Sequence, residues 1–469
     1  MSKLSEYLDY LLNEKNISKY VLAKKIGIDN SSFYKMLSGQ RKIKAEILDG
    51  ILASVPFSYM EEQKLRQLHR ILTIGEEKYQ RRQEILKFIN ALNDDREDFS
   101  FHYKTDFSIC ASSAVHGKKN LYKVISSIIF AENSSKESLK IICQTDFSFL
   151  YDTLKLISER KNLKIEQIIC FENRSKKQEA ENIHSLTVIA PLFRSSFSYN
   201  IYYFYDNIDS CCGDMILFPF MVLGSSMGVI FSADYEEGIV FVKPESCMLL
   251  SQRFEKIRSR STALLAPCQT INDTRQKLKK YAGIKEPYVL CPNIFFSNSC
   301  DVSFLISLIK EEIPERDELI FLLKNEGKKI KESARTNRVH SYFTREGITD
   351  FWESGHLIDV LADYYNPVPK PGRKTLLLKT LEAIHEDKLE AQLLRENRLQ
   401  LSRDFYLIMQ NESMISCLLK KKDGSFSNLI FHENLLCEGM ADFFKSLEEE
   451  NMLETKEETV NFIKNLINS

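Results

Sequence analysis

Between Leu4 and Val55 the chain repeats one pattern: apolar residues return every three or four positions, and each run is soon stopped by a turn-forming residue. Leu4, Leu8, Leu11 and Leu12 share one helical face, after which "KNIS" breaks the period. Ser18 is placed to cap a second helix, "KYVLAKKI", with Val21, Leu22 and Ile26 facing inward. Gly27 can take the left-handed conformation that ends a helix, and Ile28 plugs the turn. Asp29 or Asn30 caps a third helix, "SSFYKML", whose Phe33, Met36 and Leu37 point inward before Gly39 ends it. "AEILDGILASV" then adds Ile47, Leu48, Ile51 and Leu52. A stretch punctuated this often cannot form a long helix or a sheet. It must pack short helices around one small core.

The charge of this stretch is as uneven as its hydropathy is regular. From Lys15 to Lys44 there are eight Lys and Arg residues against the single acid Asp29. The whole chain is balanced, with 64 basic and 65 acidic residues. A local basic field is what contact with nucleic-acid phosphates requires. Two short helices joined at Gly27 form a helix-turn-helix by physical reading. A small bundle with a merely solvated outer face is the alternative. The order Leu22, Ala23, Gly27, Ile28, then Ser31, Ser32, Phe33, then Gly39, Arg41, Lys42 resembles the phage-repressor-like helix-turn-helix family of XRE or Cro type. The resemblance spans residues 4 to about 57. It departs at Lys19, where the family often has Gln, and at Met36 and Leu37, where an aromatic–acidic pair is frequent. The resemblance implies that Asn30, Ser31, Ser32 and Lys35 face base edges in the major groove of a double-stranded DNA operator. It assigns Ser18, Lys19, Tyr34, Arg41 and Lys42 to the phosphate backbone, and it implies a homodimer on two half-sites.

At 469 residues the chain exceeds one ordinary core, and 43% hydrophobic with 28% charged residues is globular. The expected class is multidomain α+β: an N-terminal all-α helix-turn-helix bundle followed by a mixed α/β regulatory region. Residues 1–58 form the reader. Residues 59–95 form a helical connector broken near Gly75, whose stripe of Ile85, Phe88, Ile89 and Leu92 reads as a dimer or interdomain seam, with packing inside its own domain as the alternative. The polar run "NDDREDFS" (93–100) marks a boundary. Residues 96–268 alternate strand and helix patterns and read as an α/β sensor domain. Residues 269–469 read as mostly helical to about 400, then α+β. There "SFSNLIFHE" parallels the earlier "EEGIVFVKPE", suggesting a weak repeat of residues 199–259 in 405–447, with a chance likeness of two hairpin–helix units as the alternative.

Sequence motifs that carry chemistry are few. The eleven cysteines include no C-x-x-C pair, and the neighbours Cys211 and Cys212 cannot supply two sides of a tetrahedral site, so no metal is expected. Many thiols without a disulfide spacing fit a reducing cytoplasm. "MSKLSEYLDYLLNEKN" is charged within its apolar run and unlike a signal peptide. Met215–Ala233 is uncharged, but Pro219, Gly224, Ser225, Ser226 and Gly228 interrupt it, which favours buried strands over a membrane span. Phosphate-cradling glycine loops are absent. His116-Gly117-Lys118 has the H-x-K opening of phospholipase-D-like enzymes, yet Lys123 stands where an Asp is needed, and no later H-x-K is present. The remaining histidines are isolated, and no general acid–base pair emerges. The sequence therefore predicts a cytoplasmic, sequence-specific DNA-binding transcriptional regulator without cofactor or catalysis. Its C-terminal region would dimerise or sense a small-molecule, peptide or protein effector. The rivals are an enzyme acting on a nucleotide or nucleic acid, or a defence or toxin–antitoxin interaction protein.

Overall fold

The computed structural model describes residues 2–93, 114–132, 138–172, 176–206, 216–265, 286–294, 296, 300–314, 316–321, 323–325, 338–357, 364–396, 399 and 401–469. The chain is multidomain and mixed α/β, with an all-helical N-terminal region. It divides into two compact units, Met1–Gln83 and Glu84–Ser469.

The first unit contains α1 (Lys3–Glu14), α2 (Lys19–Lys25), α3 (Asn30–Leu37), α4 (Ala45–Ser54), α5 (Tyr59–Ile74) and the start of α6 (Glu76–Asn93). Its core is a single cluster that includes Leu8, Leu12, Leu22, Ala23, Phe33, Leu37, Leu48, Ile51 and Leu65. The spacing of these residues is the helical period read from the sequence. Val21 departs from expectation. It is 61% exposed, because the inward stripe of α2 is Leu22 and Ala23 and the capped start of the helix turns Val21 to solvent.

The second unit holds two sheets. The first is built from β1 (Ala114–His116), β2 (Leu139–Ile142), β3 (Lys164–Glu172), β4 (Ser198–Asp206), β5 (Phe220–Leu223), β6 (Gly228–Phe231), β7 (Glu237–Phe241) and β8 (Thr262–Ala263), in the order β1-β7-β6-β5-β2-β3-β4-β8. Helices α7 (Lys118–Ala131), α8 (Ser148–Leu156), α9 (Lys176–Ile189) and α10 (Pro244–Arg258) accompany it. β2, β3 and β4 run parallel, joined by helical crossovers, and β3 is buried almost throughout, as a strand covered on both faces must be.

The second sheet contains β9 (Tyr288–Leu290), β10 (Val339–Phe343), β11 (Leu389–Leu393), β12 (Tyr406–Gln410), β13 (Met414–Lys420) and β14 (Phe426–Phe431), in the order β11-β10-β9-β12-β13-β14. Its helices are α11 (Val302–Leu308), α12 (Arg345–Ser354), α13 (Lys370–His385), α14 (Asn434–Ser446) and α15 (Lys456–Asn468). Here β9, β10 and β11 are parallel. The antiparallel meander β12-β13-β14 continues from β9. These three parallel strands lie in a stretch that the sequence reads as mostly helical. They are three to five residues long, too short to display a period of two against the flanking helices. Strand for strand, β4-β3-β2-β5-β6-β7 and β11-β10-β9-β12-β13-β14 share one order and the same strand directions.

Of the readings offered for the α6 stripe, packing inside its own unit is the one this structure shows. Ile85, Phe88, Ile89 and Leu92 are fully buried in the core of the second unit, where the Phe88 ring meets Phe431 edge-on at 5.8 Å. A stripe with no exposed surface is not available to a second copy. The stripe also places the division between units inside α6, earlier than the polar run at 93–100, whose residues 94–100 lie outside the described ones. At the end of α6, the buried Arg194 guanidinium donates to the Leu92 carbonyl at 2.7 Å and to the Ser402 hydroxyl at 3.1 Å. A buried cation is thereby satisfied by oxygens from α6 and from the loop before β12.

Candidate nucleic-acid interface

The turn between α2 and α3 is set by backbone chemistry. Gly27 adopts φ +74°, and its N–H donates to the Lys24 carbonyl at 3.3 Å. The Ile28 N–H reaches back to the Ala23 carbonyl at 2.9 Å. These two bonds satisfy the last carbonyls of α2 and reverse the chain within a few residues. Asn16 closes α1 the same way, with φ +53° and the Ile17 N–H bonded to the Leu12 carbonyl at 2.9 Å. Asp29 then caps α3 by accepting from the Ser32 N–H at 2.8 Å. Its hydrogen bonds to Ser32, aided by Arg41 and Lys35, hold the Asp29 carboxyl below its ordinary range.

Packing holds α3 in place from beneath. Phe33, Met36 and Leu37 are buried, and the buried Ser5 hydroxyl of α1 donates to the Met36 carbonyl at 2.8 Å. The opposite face of α3 is open, with Asn30, Ser31, Tyr34 and Lys35 exposed. In the same unit the cations Lys24, Lys25, Arg41, Lys42 and Lys44 are exposed, with Lys25 donating to the Ser54 carbonyl at 3.3 Å. Lys24, Lys25 and Lys44 enlarge the field beyond the residues singled out by motif. Their placement between inward positions of neighbouring helices was the available signal.

Four of the candidates are engaged within the fold. The Ser32 hydroxyl is half-buried and accepts a hydrogen bond from the Arg41 guanidinium at 2.8 Å, so a base-contact candidate and a phosphate-contact candidate sit as one pair. Lys19 forms an ion pair with Asp9 at 2.6 Å, its side chain only 20% exposed. A phosphate approaching Lys19 must therefore compete with a carboxylate. Ser18 spends its hydroxyl on the α2 cap, accepting from the Val21 N–H at 3.4 Å. Beside Ser18, Tyr20 and Val21 present an exposed apolar flank that the period of α2 concealed.

The other sequence candidates do not assemble. His116 lies at the end of an edge strand, its ring 3.7 Å from the Glu237 carboxylate, and Lys118 faces Glu236 at 3.6 Å. Among the described residues no group of His, Cys, Asp and Glu is arranged to hold a metal ion, and no helix is long and apolar enough to cross a membrane.

No known family model matches the sequence, and no curated protein matches it. Solved structures similar to this chain include the archaeal chromatin protein TrmBL2, described as showing a novel mode of DNA binding. It shares 12% identity at a TM-score of 0.23, over 56% of this chain and 99% of that one. Another is the phosphatidylserine synthase of Haemophilus influenzae Rd KW20, with 10% identity at a TM-score of 0.22, over 83% of this chain and 96% of that one. At these scores neither likeness says what this chain does.

Proposed function

We propose that the chain is a DNA-binding transcriptional regulator of helix-turn-helix type, with α3 as the element that enters the major groove. The observation that carries this reading is the two-sided character of α3. Its inner face is locked by Phe33, Met36, Leu37 and the Ser5 hydrogen bond, while its outer face offers Asn30, Ser31, Tyr34 and Lys35 amid exposed cations. Rigid presentation of short hydrogen-bonding side chains within a basic field is what base reading demands. Asn30, Ser31 and Lys35 are the base readers in this proposal, and Ser32 joins them once Arg41 turns to a phosphate. Lys42 and Tyr34 hold the backbone, with Lys24, Lys25 and Lys44 adding to the field. The second unit supplies regulation: a ligand or partner that binds its two functional states unequally shifts operator affinity.

The test is selection of genomic fragments by the full-length protein, followed by titration at several salt concentrations. The reading expects an enriched sequence and an affinity that falls steeply with salt. Absence of any enriched sequence, together with salt-insensitive binding, would sink it.

A further inference from the structure

The two matching strand orders give the second unit an internal comparison. Setting Lys140 against Tyr288 sets Glu166 against His340 through the ladders, since Lys140 pairs with Glu166 and Leu223, while Tyr288 pairs with His340 and Met409. The same registers equate Phe241 with Phe431 at the ends of β7 and β14. Side chains repeat as well. The Cys247 thiol reaches the Phe241 carbonyl at 3.6 Å, and the Cys437 thiol reaches the Phe431 carbonyl at 4.0 Å, at identical sequence offsets. Two helical turns after each cysteine stands a phenylalanine that covers the equated strand position. Phe254 lies beneath the Lys140 ammonium at 5.6 Å, and Phe444 stacks on Tyr288 at 5.2 Å.

Against this shared scaffold one place differs in kind. In the second half the space under α14 is filled by rings: Tyr288 lies between His340 at 4.5 Å and Phe444, and Tyr342 stacks on Phe444 at 6.0 Å. In the first half the corresponding space under α10 is a cavity of about 660 Å³ lined by Lys140, Lys164, Glu166, Ser251, Glu255 and Arg258. The second half closes this position with aromatics and keeps one ion-pair cluster beside them, Glu390 meeting Arg338 at 2.9 Å and His340 at 3.2 Å. In the other half the fold installs three cations and two carboxylates.

The charges are organised rather than scattered. Glu166, 3% exposed, accepts from Arg258 at 2.9 Å and from the Ser138 hydroxyl at 2.5 Å. Burial pushes its carboxyl up, but the Ser138 hydrogen bond and the charges of Lys164, Arg258 and Lys140 outweigh burial and hold it below its ordinary range. Glu255 meets Arg258 at 2.6 Å and Lys140 at 3.0 Å, and Lys140 also donates to Ser251 at 2.6 Å. Lys164 is the outlier, 3.7 Å from Glu166 and the most exposed of the three cations. Within the lining the two carboxylates thus orient three cations, while the buried Glu132 carboxylate behind it accepts from the Ser225 N–H at 2.7 Å.

We propose that the cavity beneath α10 binds a small metabolite through an oxyanion group, phosphate or carboxylate, seated against Lys164 and Arg258. Charge-assisted hydrogen bonds from an ammonium and a guanidinium to one oxyanion are the strong kind, and the surrounding serine hydroxyls suit a polar ligand. This inference does not depend on DNA binding, and its test does not use DNA.

Full-length protein is titrated at constant ionic strength with inorganic phosphate and, separately, with succinate, by calorimetry and by the thermal unfolding midpoint. Saturable binding of either probe, weakened about tenfold or more in Lys164→Gln but unchanged in Lys388→Gln on the same unit's surface, supports the site and tells which oxyanion it prefers. Lys164 sits at the rim, so its variant keeps the Glu166–Arg258 pair and its fold. The double variant Glu166→Gln with Arg258→Gln removes that pair without stranding a charge and is expected to lose binding too. No saturable binding of either probe, or equal binding in the Lys164→Gln and wild-type proteins, overturns the proposal.

Discussion

Phe88→Ala distinguishes a core role for the α6 stripe from a role in self-association. The Phe88 side chain is fully buried and packs edge-on against Phe431. Losing its apolar transfer energy costs about 1.5–3 kcal/mol. Loss of the ring pair adds about 0.5–1.5 kcal/mol. Incomplete collapse of the cavity raises the total to roughly 3–5 kcal/mol, against a typical domain stability of about 5–15 kcal/mol. The only tryptophan, Trp352, lies in the second unit, so its fluorescence in a denaturant titration reports that unit directly. The expected result is a large drop in the midpoint of the tryptophan-reported transition, equal at all protein concentrations. Phe88→Leu, which keeps most of the volume, should lose much less. If the stripe joined two copies instead, wild-type stability would rise with protein concentration and Phe88→Ala would abolish that dependence. A variant of wild-type stability that merely sediments as a smaller species would refute the packing argument.

Gly27→Ala should destabilise the first unit by about 1–2 kcal/mol, read from its helical circular dichroism in the full chain. Nothing lies within 4 Å of an added Cβ, so the cost is the left-handed backbone at φ +74° rather than a clash. Lys35→Ala should lose roughly 1–3 kcal/mol at one base pair and relax preference there. Lys42→Ala should weaken binding to all sequences and flatten the salt slope by about one, so identical behaviour of the two variants would dissolve the division of roles. Burial, with Glu433 and Glu438 nearby, pushes the Cys437 thiol up to about 12. The folded state therefore keeps a proton that the unfolded chain releases above its ordinary thiol pKa. The sign follows: stability falls as pH rises from about 9 toward 12, by at most about 1.4 kcal/mol per unit from this group. Cys437→Ala should show a shallower alkaline slope, and native Cys437 should resist iodoacetamide at pH 8.

The first unit was legible because its information is local. Apolar period, capping residues and turn glycines act within a few residues of one another, so spacing alone assigns Gly27, Phe33 and Leu37 and narrows the α3 cap to Asp29 or Asn30, of which the structure uses Asp29. The exceptions were set by contacts across the chain. The family resemblance assigns Lys19 to the phosphate backbone, yet its partner Asp9 sits on another helix, and no spacing rule pairs them. Ser32 and Arg41 are joined across a loop whose course depends on Gly39, whose φ is +77°.

In the second unit the balance reverses. The alternation of strand and helix over 96–268 shows in the hydrophobic pattern, and the likeness of "EEGIVFVKPE" to "SFSNLIFHE" points at β7 and β14. The short strands β9, β10 and β11 do not show there, because a three-residue strand is specified by the neighbours it pairs with rather than by its own composition. The α6 stripe was visible as a stripe, but which surface covers it is a question of tertiary packing. Amphipathic period says that a face must be buried and is silent on its partner. By itself the sequence determined helix ends, caps, turns and the local concentration of charge. Only the tertiary structure decided that the stripe belongs to the second core, and that one copy of a repeated scaffold is sealed with rings while the other stays open around Lys140, Glu166 and Arg258. Local dihedral and capping preferences act within a helical turn, whereas those outcomes depend on residues tens to hundreds of positions apart.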